Sequence, residues 1–211
     1  MDSSRVGFLA NHRYNALTSM DPLARLFGTP TRLKLLRLFL FNDDLAFPLA
    51  DATFRAKAPK DVAKKEIALL LACGIIRKKL GKQGAAYAAD KRFEHYEELK
   101  TFLRMTTDVS DAYILTTLKK AGTLRLVTLS GLFTGAIESK IDILIVGDKL
   151  EEKPLANAIH ALEAELGREL RYATFSTEQF RYRLGVYDRL LRDLFDYPNR
   201  TVVDKLGVTS K

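Results

Sequence analysis

The chain has 211 residues, 47% of them hydrophobic, and this length fits two small globular domains. No apolar run reaches the roughly 18 residues of a membrane span, and the first residues lack the layout of a signal peptide. The single cysteine, Cys73, excludes an intramolecular disulfide framework. We therefore expect a cytoplasmic protein that does not associate with a membrane.

The net charge of +8 is unevenly distributed. Residues 1–108 carry 19 lysines and arginines against 12 aspartates and glutamates, whereas residues 109–211 carry 15 against 14. Such an excess in one half indicates an anionic partner, most often nucleic acid. The three histidines and the cysteine match no zinc-site spacing, so we expect no metal and no cofactor.

The first half of the chain is predicted to contain three helices after an N-terminal extension over residues 1–22. Thr31 is a candidate N-cap for the first, whose leucines recur at helical spacing up to Leu40. A short second helix is expected to begin at Pro48, because proline is favoured at a first helical position. The third is predicted over about 59–72.

The third helix has an apolar face and a basic face. Ala63, Ile67 and Leu70 fall at i, i+4 and i+7, which predicts that they are buried. The remaining charged positions then point to the other side; these are Lys60, Asp61, Lys64 and Lys65. Cys73 follows in an apolar segment and is predicted to be a small core residue.

A basic hairpin follows this helix. The segment IIRKKL and the segment over residues 85–89 flank Gly81-Lys82-Gln83-Gly84, which predicts two strands joined by a tight turn. The order of these elements from Leu23 to Asp90 resembles the winged-helix transcription regulators of the arsenical-repressor type. KKEIALLLACGIIRKK is similar to their recognition helix and first wing strand.

The resemblance implies that the third helix enters the major groove of DNA and that the hairpin lies along the backbone. The implied DNA contacts are Lys60, Asp61, Lys64 and Lys65 on the helix, and Arg77, Lys78, Lys79, Lys82 and Gln83 on the hairpin. Most would bind phosphate, which supplies affinity without sequence information. The candidates for reading bases are Lys60, Asp61, Lys64 and Gln83.

A connector of two helices is predicted over residues 93–122. The first helix, from Phe93 to Met105, has an apolar stripe that indicates interdomain or dimer packing. The second is predicted from Asp108 to Lys120, with Ser110 or Asp111 as its cap.

The remaining residues, 123–211, alternate strand and helix. Strands are predicted over 124–129, 141–146, 170–175 and 200–203, and helices over 152–166 and 177–194. His160 lies off the apolar stripe of its helix and is expected to face solvent. Four aromatic residues are expected in the core; these are Tyr172, Phe175, Phe180 and Tyr182.

The segment GLFTGAIESKIDILIVGD resembles the core of the nucleotidyltransferase fold of the DNA polymerase beta superfamily. That family has Gly-Ser, a short helix and Ser-Asp-x-Asp opening an apolar strand, and its aspartates, with a third carboxylate on a later strand, hold two metal ions. Gly131 and Asp142 match, but Leu132 replaces the serine and Lys140 replaces the first aspartate. The strand over 170–175 carries no acid.

An ammonium group beside a metal ion is repelled by it, so the resemblance implies the fold without the chemistry. In that case Asp142 caps a strand or pairs with a neighbouring cation. No catalytic residue and no metal ligand is predicted, and the four corresponding positions, Gly131, Leu132, Lys140 and Asp142, form a degenerate site.

Together these features predict an α+β protein with an N-terminal winged helix-turn-helix (residues 23–92) and a small α/β nucleotidyltransferase-like domain. The expected function is regulation of transcription by binding double-stranded DNA as a homodimer. The second domain would serve dimerisation or sensing of a small-molecule or nucleotide effector. The alternatives are an active nucleotidyltransferase using Asp142 with Glu138 or Asp148, and an antitoxin-like interaction module.

Overall fold

The computed structural model describes residues 22–81, 84–136 and 138–208, which form an α+β fold with two separate sheets. The N-terminal unit consists of α1 (Pro22–Leu26), α2 (Pro30–Phe41), β1 (Phe47–Pro48), α3 (Leu49–Arg55), α4 (Lys60–Ala72), β2 (Ile76–Gly81), β3 (Gly84–Ala89) and α5 (Tyr96–Thr106). The predicted extension before residue 22 lies outside the described residues, as do Lys82 and Gln83.

The C-terminal unit consists of α6 (Asp111–Leu118), β4 (Thr123–Leu129), β5 (Ile143–Asp148), α7 (Glu152–Leu166), β6 (Tyr172–Phe175), α8 (Thr177–Gly185), α9 (Arg189–Asp196) and β7 (Arg200–Asp204). Its strands follow the order β6-β5-β4-β7, in which only the β5–β6 pair is parallel. Helices α6 and α7 cover one face of this sheet, and α8 and α9 cover the other. In the described part of the chain, every helix is too short or too polar to cross a bilayer.

Helix α2 begins two residues earlier than predicted. Its N-cap is Thr29, whose hydroxyl accepts a hydrogen bond from the backbone of Arg32 at 3.0 Å. The prediction that Thr31 caps the helix was wrong, because Pro30 occupies the first helical position, where its missing N–H costs nothing.

The predicted orientation of α4 is confirmed. Ala63, Ile67 and Leu70 are at most 2% exposed, and they pack against α2, α3 and the three-stranded sheet. Cys73, however, is exposed, so its predicted place in the core was wrong. It is the C-cap of α4 and lies beyond Leu70, the last buried residue of the helix.

Ile67→Ala is expected to lower the free energy of unfolding by about 2–5 kcal/mol, because it leaves a cavity in this core. Leu69→Ala removes a similar side chain from the same helix at a position that is 40% exposed, and should cost less than about 1 kcal/mol. Urea denaturation followed by circular dichroism measures both. Equal losses would mean that α4 is rotated relative to this description.

Helix α5 belongs to the core of the N-terminal unit. Tyr96 and Leu103 are buried in one cluster with α2 and α4, whereas Ile114 and Leu118 of α6 are buried against the four-stranded sheet. The predicted interdomain or dimer packing of the α5 stripe was therefore wrong. The two connector helices divide between the two cores.

Asp43, at the end of α2, anchors α5. Its carboxylate accepts hydrogen bonds from Tyr96 and Lys100 and pairs with Lys91. Burial raises the pKa of Asp43, but the bonds from Lys100, Tyr96 and Lys91 outweigh burial and hold the pKa well below its usual range. The ionised carboxylate therefore stabilises the folded state.

Asp43→Asn should lower the free energy of unfolding by about 1–3 kcal/mol at pH 7. Since folding depresses the pKa, this stabilisation is present above the ordinary carboxyl pKa near 4 and is lost as the pH falls below it. The difference in the free energy of unfolding between wild type and variant, measured by urea denaturation, should thus shrink as the pH falls from about 5 to 2. Asp44→Asn, whose side chain is 88% exposed, is the control, and a difference independent of pH would contradict the prediction.

The predicted single helix over residues 177–194 is two helices. Asp188 interrupts it, because its carboxylate accepts hydrogen bonds from the backbone of Leu190 and Leu191 and so caps α9. Tyr187, just before the cap, has a φ of +53°. Of the aromatic residues predicted in the core here, Phe180 is fully buried and Phe175 partly so, whereas Tyr172 and Tyr182 are 44% and 72% exposed.

The two units contact each other through α2 and the C-terminal end of α7. The side chains of Arg37 and Asn42 donate to the carbonyl oxygens of Glu165 and Gly167, at 3.0 and 2.7 Å. The last carbonyls of a helix have no partner within it, so the N-terminal unit supplies the missing donors. A Cβ at Gly167 would lie 2.6 Å from Arg37, which explains the glycine.

His160 also belongs to this contact and does not simply face solvent as predicted. Its ring stacks on Phe54 of α3 with 4.2 Å between centroids, and its Nε2 lies 2.7 Å from the carbonyl oxygen of Phe54. Two ion pairs join the units nearby, Lys34 with Glu165 and Arg55 with Glu169. The orientation of the N-terminal unit on the C-terminal unit is therefore fixed by several independent contacts.

Candidate functional site

The first candidate site is the outer face of α4. Lys60, Asp61, Lys64 and Lys65 are all exposed, as the apolar spacing predicts. Asp61 lies in the first turn, where the helix dipole favours a negative charge. Because the face carries three lysines against this one aspartate, its net charge is positive. This face can attract an anion over the first two turns of the helix.

The hairpin carries further positive charge. Arg77 and Lys78 are exposed on β2 and Lys79 is partly exposed. β2 pairs with β3 in unbroken register from Ile76↔Ala89 to Gly81↔Gly84, which confirms the predicted hairpin. We call the six cations described here the basic surface; they are Lys60, Lys64, Lys65, Arg77, Lys78 and Lys79.

Most of the basic surface is electrically uncompensated. None of its lysines forms a salt bridge with an acid in the described ranges. Arg77 is the partial exception. The side-chain hydrogen bond from Arg92 is the main reason that the pKa of Asp90 is lowered to about 2, and the charge of Arg77 contributes to the same shift. The surface therefore presents charge that an external anion can neutralise.

A buried ion pair, missed in the sequence, positions α4. Glu66 is 6% exposed and accepts hydrogen bonds from Thr29 Oγ1 at 2.8 Å and from Arg32 Nε at 2.7 Å. Arg32 also donates to the carbonyl oxygen of Phe27 at 2.6 Å. The signal in the sequence is an acid at the edge of an apolar helix face, but its partners lie 34 and 37 residues away.

The second candidate site is the degenerate one, centred on Asp142, which is 1% exposed. Its Oδ1 accepts from the backbone N–H of Leu132 at 2.9 Å, and its Oδ2 accepts from that of Arg171 at 2.9 Å. Gly131 has a φ of +49°, and a Cβ there would lie 2.0 Å from Asp142 Oδ1. Glycine at 131 thus lets the loop approach the carboxylate.

The cation beside Asp142 is Arg171, which the sequence analysis did not identify. Its Nη2 and Nε lie 2.8 and 3.1 Å from the two carboxylate oxygens, a bidentate pair that raises the pKa of Arg171. The parallel register Ile143↔Tyr172 sets Arg171 beside Asp142. Asp142 thus pairs with a neighbouring cation, as one of its predicted roles has it.

Lys140 does not contribute to this pair. Its ammonium lies 2.7 Å from Asp193 of α9 and, with some help from neighbouring arginines, lowers the pKa of that carboxyl. Asp148, at the far end of β5, is bound by Arg125 and Thr177, which lower its pKa. The carboxylates Asp142 and Asp148 are therefore both engaged within the protein.

A metal ion would need several carboxylates in one place. Across residues 22–81, 84–136 and 138–208, no three histidine, cysteine, aspartate or glutamate side chains are grouped so as to hold one. Comparisons with protein families, with curated proteins and with solved structures found no match to this chain.

Proposed function

We propose that this chain regulates transcription by binding double-stranded DNA through its N-terminal unit. The sequence of elements α2-β1-α3-α4-β2-β3 and the sheet order β1-β3-β2 support a winged helix, with α4 as the recognition helix and the β2–β3 hairpin as the wing. The observation that carries the proposal is the uncompensated basic surface, because it lies on the two elements that such a domain applies to DNA.

The C-terminal unit is proposed to be a nucleotidyltransferase-like domain that has lost its chemistry and serves dimerisation or sensing. In support, β4, the loop at Gly131, β5, α7 and β6 follow the order expected of that fold. The guanidinium of Arg171 already neutralises Asp142, so this carboxylate offers little to a divalent cation.

The rival proposal is an active enzyme that uses Asp142 with Glu138 or Asp148. Two observations argue against an active enzyme. Asp142 already accepts hydrogen bonds from Leu132 and Arg171, and Asp148 forms a salt bridge with Arg125. The antitoxin-like alternative has no specific observation in its favour.

The salt dependence of binding tests the role of the wing. Full-length protein titrated with a labelled duplex should lose affinity as salt rises, with a log–log slope of roughly −0.9 for each phosphate contact. Lys78→Ala/Lys79→Ala should flatten that slope by about 2, because two contacts are lost, and should weaken all sequences alike.

The matched control is Lys119→Ala/Lys120→Ala, which removes the same charge from an exposed pair in the C-terminal unit. Its slope should stay close to that of wild type. A wing variant with an unchanged slope would remove the hairpin from the interface, and a wild type with no affinity for duplex DNA would refute the proposal.

A further inference from the structure

We propose that the turn between α8 and α9 is the homodimer interface, occupied by the same surface of a second copy. The Tyr187 surface, as we call it, consists of Tyr172, Tyr182, Leu184, Val186 and Tyr187, which are 44%, 72%, 40%, 55% and 84% exposed. The inference rests on the proposed homodimer and is independent of DNA binding. Four of the five lie within six residues at the end of α8 and the turn after it, and exposed apolar side chains clustered in this way mark interaction sites.

Backbone geometry at Tyr187 supports a function for its side chain. Its φ of +53° is a conformation that a bulky residue seldom adopts, and the position follows the C-cap of a helix, where glycine is usual. Strained residues of this kind persist where the surrounding structure uses them. Here the strain presents an aromatic ring almost entirely to solvent.

A groove lies next to Tyr187, whose two sequence neighbours, Val186 and Asp188, both line it. It has a volume of about 530 Å³ between β6 and α8, and Phe175, Tyr182, Arg183 and Val186 line it. The Arg183 guanidinium lies 4.8 Å from the Phe175 ring centroid and pairs with Asp188 at 2.7 Å. An aromatic ring entering this groove would meet both apolar carbon and a cation, a combination that favours tyrosine.

A second copy of the chain would bury the exposed Tyr187 ring and fill the groove at the same time. In a two-fold contact, Tyr187 of each copy enters the groove of the other, since such an interface uses the same patch twice. The charges nearby are self-complementary as well. Glu178 and Arg181 are exposed on α8 and form no salt bridge with another described residue, so antiparallel α8 helices would place each acid against the partner's guanidinium.

The strand order supports the same occupant. β6 lies at the edge of the four-stranded sheet as described, next to the groove. An edge strand without a neighbour invites association with another chain, and a dimer at this surface would cover it.

Sedimentation equilibrium of the full chain tests the interface. Wild type should dimerise at micromolar concentration, and Tyr187→Gly should raise the dimer dissociation constant at least about tenfold. Glycine adopts the φ of this position without strain, so the thermal midpoint of unfolding should not fall. Met105→Ser is the matched control, because Met105 is 83% exposed on α5, and it should leave the dissociation constant unchanged.

Charge exchange provides a second readout. Glu178→Arg and Arg181→Glu should each weaken dimerisation, and the double variant should restore it, because the attraction between copies is then rebuilt with reversed signs. A wild type that remains monomeric overturns the proposal whether or not the protein binds DNA. So does a dimer that Tyr187→Gly leaves intact or that Met105→Ser dissociates.

Discussion

Replacing Lys64 and Lys65 by alanine is expected to weaken binding of the full chain to duplex DNA about 30–1,000-fold, taking about 1–2 kcal/mol for each lysine. Both side chains lie on the exposed face of α4, and neither forms a salt bridge within the described residues. The buried face consists of Ala63, Ile67 and Leu70, so the fold should be unaffected. Fluorescence anisotropy with a labelled duplex at fixed salt measures the affinity.

The thermal midpoint of the double variant should match that of wild type. Lys119→Ala/Lys120→Ala removes the same net charge from another exposed pair, and it should change the affinity less than about threefold. If both double variants lost affinity equally, binding would depend on net charge alone. An α4 variant of normal affinity would rule out α4 as the recognition helix.

Asp142→Ala should lower the free energy of unfolding by about 2–4 kcal/mol. The change leaves two backbone N–H groups, of Leu132 and Arg171, without their acceptor. It also leaves the guanidinium of Arg171 unpaired; because that side chain is 49% exposed, water compensates part of this loss. Asp148→Ala on the same strand removes a more exposed carboxylate, bound by Arg125 and Thr177, and should cost less than Asp142→Ala.

A double-mutant cycle separates the backbone contribution from that of the ion pair. Arg171→Ala should cost less than Asp142→Ala, because Asp142 retains its two backbone donors. The double variant should cost less than the two losses combined. Additive losses in urea denaturation would mean that the pair is not coupled.

The same variant tests the loss of chemistry. Incubation with Mg²⁺ and labelled nucleoside triphosphates should give no detectable transfer by the wild type. Folded Asp142→Ala should bind DNA as wild type does. Metal-dependent transfer by the wild type, abolished in a folded Asp142→Ala protein, would establish the enzyme instead of the regulator.

Local patterns in the sequence predicted the local structure well. The spacing of Ala63, Ile67 and Leu70 was sufficient to orient α4, because a helix has a single period that a buried face must follow. The hairpin followed from two glycines flanking a short turn. The strand pattern of the second half was predicted except for its boundaries, with β5 beginning at Ile143 instead of Ile141.

The residues that position both sites were missed because their partners are distant in sequence. Glu66 meets Arg32 across 34 residues, and Asp142 meets Arg171 across 29. Neither pair shows a periodicity, and only the packing of helices or the pairing of strands brings its members together. The same holds for His160, whose off-stripe position predicted solvent but which stacks on a helix from the other unit.

The contact between α2 and the C-terminal end of α7 bears on the kind of DNA site that such a protein would recognise. Arg37 and Asn42 bind the terminal carbonyls of α7, and α2 shares a core with α4, so the proposed recognition helix is held in a fixed orientation on the unit that carries Tyr187. In a dimer built at that surface, the separation of the two recognition helices becomes a fixed length. The protein would then bind only those pairs of half-sites whose spacer length matches this fixed separation.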